Sequence, residues 1–92
     1  MQKLEVINIM KKEIERSGYR YKLKQSKISD SFYFTIYSGV VSLYFRISDH
    51  RTVKNVLTFR VDKKTDHKKV LSFIKNRISD VGRRHVKITL GV

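Results

Sequence analysis

The sequence contains no cysteine, no proline and no tryptophan, and only eight of its 92 residues are acidic. A chain without cysteine forms no disulfide, offers no thiolate to a metal and has no cysteine nucleophile. The histidines are isolated from one another and from carboxylates at ligand spacing, so we expect neither a metal nor another cofactor. A reducing compartment is the simplest setting for such a chain, and we therefore expect a cytoplasmic protein.

The chain is strongly basic, with 21 lysine and arginine residues and a net charge of +13. Self-repulsion of this size weakens a compact fold unless an anionic partner neutralises it. Three classes of partner carry enough negative charge to do so: nucleic acid, an acidic protein groove and an anionic membrane surface. We expect no membrane binding, because no uncharged run near the start exceeds five residues and Phe73 is the only aromatic in the two helical segments.

Two hydrophobic periodicities divide the chain into elements. Apolar residues recur at helical spacing over residues 3–17 and again over residues 70–81. Apolar and polar residues alternate elsewhere, as in strands that are buried on one side. These strands are expected near residues 19–24, 32–37, 41–48, 57–61 and 86–90. The order α-β-β-β-β-α-β predicts a single α+β domain over residues 1–92, in which two helices pack on one face of an antiparallel four- to five-stranded sheet.

Turn and capping residues mark the predicted ends of these elements. Gly18 is expected to end the first helix, and Gly39 to form a hairpin turn between two strands. Thr65 or Asp66 is available as the N-cap of the second helix, and Gly82 is expected to end it.

The alternation also separates the predicted sheet into two faces, of which one carries the apolar residues that would meet the helices. The opposite face carries Arg20, Lys22, Lys24, Tyr33, Thr35, Tyr37, Tyr44, Arg46, Thr58 and Arg60. Cations bind phosphates and tyrosine rings stack on unpaired bases, so this face suits RNA or a single strand. The alternative is an ordinary solvated face, because Tyr, Thr and Arg are common in strands. Solvated faces usually mix charge signs, however, and this one has no acid.

Ser48, Asp49 and His50 stand side by side at the end of a predicted strand and raise the question of a catalytic triad. Successive strand residues point to opposite sides, which separates Asp49 from the other two. A Ser–His–Asp relay needs the acid on the far side of the imidazole. We therefore interpret the triplet, between Arg46 and Arg51, as a strand end with a turn, and keep His50 as a binding residue. The carboxylates are scattered as well, and we predict that the protein is not an enzyme.

A second basic cluster lies at the start of the second predicted helix. It consists of Lys63, Lys64, Lys68 and Lys69, and Arg83 and Arg84 follow past the far end of the same helix. Backbone amides and the helix dipole favour an anion at a helix start, so we predict that phosphate binds there. The alternative is a basic helix start that is only solvated.

The order α-β-β-β-α with lysines opening the last helix is similar to that of double-stranded-RNA-binding domains and of the HicA-type ribonuclease toxins built on that plan. The toxins carry a Gly-Ser/Thr-His motif where the second strand begins, and this chain has "KISDS" there, without histidine. The toxin activity is therefore not carried over. A HicA-like ribonuclease that uses His50 ranks third among the functions considered.

Residues 29–78 resemble the core of a type II-A anti-CRISPR family from phages of Gram-positive bacteria. The matching stretches read "SDSFYFTI", "YFRISDHRT" and "LTFRVDKKTDHKKVLSFIKNRI", and the best motif spans residues 46–50. Asp49 stands where the family has an asparagine, and a helix replaces the family's basic N-terminal arm. The resemblance implies a non-enzymatic inhibitor of a type II CRISPR RNA-guided nuclease, which would bind the effector or its guide RNA in the host bacterial cytoplasm.

The leading hypothesis is thus a phage or mobile-element inhibitor of an RNA-guided nuclease. The alternative is a stand-alone protein that binds RNA or single strands. The residues expected to contact a nucleic acid or partner are Arg20, Lys22, Lys24, Tyr33, Tyr37, Tyr44, Arg46, His50, Arg51, Arg60, Lys63, Lys64, Lys68, Lys69, Arg83 and Arg84. An open sheet edge would also allow a homodimer.

Overall fold

A computed structural model describes residues 1–27, 30–49 and 56–90, with side chains up to Arg84. The elements are helix α1 (Lys3–Arg16), strands β1 (Arg20–Gln25), β2 (Phe32–Ser38), β3 (Val41–Ser48) and β4 (Thr58–Arg60), and helix α2 (His67–Leu90). The α+β class is confirmed, with a four-stranded sheet in the order β1-β2-β3-β4 and two helices.

Three local signals are confirmed at the ends of these elements. Gly18 and Gly39 adopt left-handed backbone at φ 82° and 60°, a region in which glycine carries no Cβ penalty. Gly39 lies in the short turn between β2 and β3. Of the two candidate N-caps of α2, Asp66 fills the role, because its Oδ1 accepts a hydrogen bond of 2.8 Å from the backbone N–H of Lys69.

The hydrophobic core lies between the sheet and the two helices. Its fully buried members include Val6, Met10 and Ile14 of α1, Phe34, Ile36, Phe45 and Ile47 of the sheet, and Val70, Ile74 and Val81 of α2. Phe34 and Phe45 are cross-strand partners whose ring centroids lie 5.3 Å apart. Burying a ring of this kind contributes about 1.5–3 kcal/mol. This packing leaves the other face of the sheet uncovered by the helices.

The sheet is mixed, and the prediction of a fully antiparallel sheet is wrong. Strands β1, β2 and β3 are antiparallel, but β4 runs parallel to β3, with Ile47 opposite Phe59. The pairing is held by Arg46 N–H to the Leu57 carbonyl and by Val61 N–H to the Ser48 carbonyl, each at 2.8 Å. The alternating pattern of a short strand reports which side chains are buried but not its direction, so the prediction rested only on the usual pairing of successive strands.

The predicted last strand at residues 86–90 is also wrong, because α2 continues through Gly82 to Leu90. Gly82 does not end the helix, and it lies where α2 passes close to Tyr19. A Cβ atom at position 82 would stand 3.3 Å from the Tyr19 hydroxyl, a tight contact. A helix tolerates a glycine at a cost of about 1 kcal/mol, so Gly82 alone could not end it.

Among the described residues, no helix combines the length and hydropathy that a membrane span requires. Strand β1 forms one edge of the sheet, and a homodimer through this edge stays a prediction.

Candidate nucleic-acid interface

The uncovered face of the sheet, called here the open face, brings most of the predicted strand residues together. Strand register places them in three cross-strand rows: Arg20, Tyr37 and Ser42; Lys22, Thr35 and Tyr44; and Lys24, Tyr33, Arg46 and Thr58. Residues opposite each other in neighbouring strands have Cβ atoms about 5 Å apart. The register therefore aligns cations, hydroxyls and aromatic rings on one side of the sheet, where Arg46 is the one cation that is buried.

Tyr33 and Tyr44 form a stacked pair near the middle of the open face. Their ring centroids lie 5.5 Å apart and their planes are tilted by 16°. The register makes them diagonal neighbours, since Tyr33 is opposite Arg46 and Tyr44 is opposite Thr35, and diagonal neighbours are within reach of aromatic side chains. Tyr44 remains 52% exposed, so one of the two rings keeps a surface on which another flat group can stack.

The tyrosine pair lies in an open groove of about 560 Å³. Its lining consists of Lys22, Lys24, Ser26, Lys27, Tyr33, Thr35 and Tyr44. Three of these residues are lysines, and none is acidic. The groove therefore combines positive charge with aromatic surface, which are the two components that an unpaired nucleic acid strand requires of a protein surface.

The electrostatics of the open face are set by where the acids lie. None of the four strands contains Asp or Glu, and all eight acidic residues lie in the helices or in the connections. The Lys22 ammonium lies 5.9 Å from the centre of the Tyr37 ring, at the limit of a cation–π contact. The cations of the strands are therefore neutralised by no carboxylate from the same sheet.

The pKa of Tyr44 is raised above its usual value of 10.0, chiefly because burial penalises the charged phenolate. The neighbouring Tyr33 raises this pKa further, and Arg46 opposes the shift. The Tyr44 hydroxyl therefore stays protonated at neutral pH, and it can donate a hydrogen bond to a phosphate or a base.

Arg46 lies in the same row as Tyr33, but its side chain is buried, with 5% of the residue exposed. Its Nη2 donates to the Ser31 hydroxyl at 2.9 Å, and Ser31 in turn donates to the Ser48 hydroxyl at 3.1 Å. We expected Arg46 to present its charge on the surface. Instead it ties the start of β2 to the end of β3, as part of a buried polar cluster.

Sequence reasoning missed two groove-lining residues, Ser26 and Lys27, of which Lys27 is the charged one. It follows β1, outside any alternating pattern, so period-two geometry could not assign it to a face. A hydrogen bond of 2.9 Å from the Ser26 N–H to the Ser31 carbonyl closes the connection that carries it. The hydroxyl of Ser31 is held by Arg46, which anchors this connection to the sheet.

Of the Ser48-Asp49-His50 triplet, the structure describes Ser48, which is buried, and Asp49, which is exposed. Ser48 is fully buried in the polar cluster. The carboxylate of Asp49 forms an ion pair with Lys3 Nζ at 3.4 Å, which links the end of β3 to the start of α1. His50 and Arg51 lie outside the described residues. Among the residues that are described, no three His, Asp or Glu side chains form a group that could hold a metal ion.

At the start of α2, two backbone amides and the Lys69 ammonium already bond to other groups of the chain. Asp62 Oδ1 accepts from the backbone N–H of Lys64 at 2.8 Å, and Asp66 accepts from that of Lys69. The Lys69 ammonium turns back onto the Lys64 carbonyl at 3.2 Å. Amides that bind the chain's own carboxylates are not available to a phosphate.

The pKa of Asp62 is lowered below its usual 3.8, chiefly because the Lys64 N–H donates to the carboxylate. The hydroxyl of Thr65 and the charges of Lys69 and Arg60 lower this pKa further, against an opposing effect of desolvation. Asp62 is therefore ionised at neutral pH, and its negative charge stands within the cluster.

The remaining predicted residues lie at the margins of these two regions. Arg60 is exposed at the end of β4, and Lys63, Lys64 and Lys68 are exposed around the start of α2. Arg83 pairs with Asp80, one helical turn earlier. Arg84 donates to the Ser42 carbonyl at 3.1 Å, so it is bonded to β3.

These features define a small basic α+β protein with an aromatic groove on its open sheet. No protein family matches the chain, nor does any curated protein or solved structure.

Proposed function

We propose that the protein binds single-stranded nucleic acid through the open face of its sheet. The observation that carries the proposal is the stacked Tyr33–Tyr44 pair inside a groove lined by three lysines. Unpaired bases would stack on the tyrosine rings, and the phosphates that follow would lie against Lys22, Lys24 and Lys27.

The form of the groove favours a single strand over a duplex. Bases in a duplex are stacked on one another, so their faces are not available to a protein ring. A single strand can turn its bases onto the exposed ring of Tyr44 while its backbone follows the lysines. The tyrosines read no base edges in this arrangement, so binding would tolerate different sequences.

The test compares Tyr44→Leu with Tyr44→Phe in a titration of a fluorescent single-stranded RNA followed by anisotropy. Loss of a stacking ring costs about 1–3 kcal/mol per base, so Leu should weaken binding roughly 5- to 150-fold. Phe keeps the ring and loses only the hydroxyl, so it should bind more tightly than the Leu variant and close to the unchanged protein, because stacking makes most of this contact. Equal affinity of the Leu variant and the unchanged protein would contradict the proposal.

A narrower form of the proposal follows from the resemblance of residues 29–78, namely that the bound strand is the guide RNA of a type II CRISPR nuclease. The same titration with guide-loaded nuclease separates the two forms. Inhibition of the loaded nuclease, with tighter binding of guide RNA than of unrelated strands, would support the narrower form. Comparable binding of unrelated strands, without inhibition, would leave only the general nucleic-acid-binding function.

A further inference from the structure

We infer that the outer side of α2 is a second nucleic-acid surface, so that one chain bridges two strand segments. This second surface consists of Lys68, Ser72, Lys75, Ser79 and Arg83, all of them exposed. The bridging rests on the proposed function for its first contact, at the open face. The second contact stands on the geometry and charge of α2 itself.

Helical geometry places these residues on one side of α2. They are spaced by three or four positions, which brings them onto a single stripe. At 100° per residue the stripe lies opposite the buried residues Val70, Ile74 and Val81. It runs from Lys68 to Arg83, a length of about 22 Å at a rise of about 1.5 Å per residue. The stripe therefore points away from the core along most of the described part of α2.

The stripe is basic after internal pairing. The only acid in α2 is Asp80, and it is shared by Arg77, at 3.1 Å, and Arg83. One carboxylate cannot neutralise two guanidinium groups, so this group of three keeps a positive charge. Lys68 and Lys75 add two more cations.

The composition of the stripe fits the phosphate backbone of a nucleic acid. Lysine, arginine and serine are residues that commonly contact phosphate oxygens. The stripe has no aromatic residue, so it offers no stacking surface for a base, in contrast to the open face. It would therefore bind along a backbone without reading sequence. A nucleic acid strand also carries a continuous line of negative charge, which matches a row of cations about 22 Å long.

The two surfaces lie on opposite layers of the protein. The helices cover one face of the sheet, so the open face and the outer side of α2 point in opposite directions. The Cα framework measures 18 Å across at its narrowest. This exceeds the screening length of about 10 Å at 0.1 M salt, so two bound segments would repel each other only weakly. One chain can therefore hold two segments at once.

The test uses two single-stranded oligonucleotides of the same sequence, one with a donor dye and one with an acceptor. The unchanged protein should bring them together and produce energy transfer, in a complex of one chain and two strands by sedimentation. The variant Lys68→Gln/Lys75→Gln should lose most of the transfer while its anisotropy affinity for one strand stays within about 2-fold, because the open face is intact.

The variant Lys12→Gln/Arg16→Gln is the charge-matched control, since both residues are exposed on α1. It should keep the energy transfer. Loss of transfer in this control, or suppression of transfer by polyglutamate as strongly as by unlabelled strand, would show general attraction to acids and overturn the inference. Unchanged transfer in the α2 variant would also overturn it. Strand binding without transfer by the unchanged protein refutes bridging alone, whereas absence of strand binding refutes the proposed function.

Discussion

The groove on the open face and the start of α2 carry similar numbers of lysines, yet they differ in where their acids lie. The groove has three lysines and no acid among its lining residues. The helix start has four lysines, but Asp62 and Asp66 accept its backbone amides and Lys69 bonds to a carbonyl. The comparison teaches that a count of cations overstates anion binding wherever a turn and a cap need carboxylates of their own.

The largest expected difference comes from removing two lysines from each region. Lys22→Gln/Lys24→Gln should weaken single-strand binding roughly 25-fold at about 0.1 M salt, because each lost phosphate contact lowers the salt slope by about 0.7. Lys63→Gln/Lys64→Gln removes the same charge and should weaken binding by less than about 3-fold, since it loses only long-range attraction. Anisotropy titrations over a range of salt concentrations measure both quantities.

The outcome that would reverse this comparison is a larger loss in the Lys63/Lys64 variant. In that case the helix start would be the main contact. Equal losses in both variants, with equal changes in the salt slope, would mean that binding follows net charge alone.

A smaller effect is expected when the cap of α2 is removed. Asp66→Ala leaves the Lys69 N–H without its acceptor and should lower the free energy of unfolding by about 1 kcal/mol. Asp66→Asn keeps an oxygen acceptor and serves as the control. It should lower the free energy of unfolding by only about a few tenths of a kcal/mol. Urea denaturation measures the difference. If Ala and Asn are equally stable, the carboxylate does not cap the helix.

The smallest effect concerns the pH dependence contributed by Asp62. Its pKa is lower in the folded chain than its usual 3.8, so the stabilisation is complete above that value and is lost as pH falls through the folded pKa. Asp62→Asn keeps the acceptor oxygen but not the charge. The stability difference between the two proteins should therefore shrink from about pH 6 to about pH 3. A difference that stays constant over this range would contradict the assignment.

Much of the open face was predictable because side-chain alternation is a local property of a strand. The buried positions set the register of the two hairpins, and this register makes Lys24 a neighbour of Tyr33 and Thr35 a neighbour of Tyr44. The turns at Gly18 and Gly39 and the cap at Asp66 were predictable for the same reason, since each depends only on residues close by in the sequence.

Other parts of the site depended on contacts between distant segments. Arg46 alternates like a surface residue, but it is buried and donates to Ser31, which lies just before β2. Lys27 reaches the groove through a connection anchored at Ser31, and no periodicity marks it. The direction of β4 and the continuation of α2 past Gly82 likewise follow from packing that no local pattern describes.

By itself, the sequence determined the α+β class, the helix-facing and open sides of the hairpin strands, and the excess of positive charge. These properties follow from periodicity and composition, which act over a few residues or add up along the chain. Only the tertiary structure decided which of the described lysines lie beside the chain's own acids, that Tyr33 and Tyr44 stack, and that Arg46 is structural. These depend on distances between groups far apart in the chain, and such distances exist only after the core has packed.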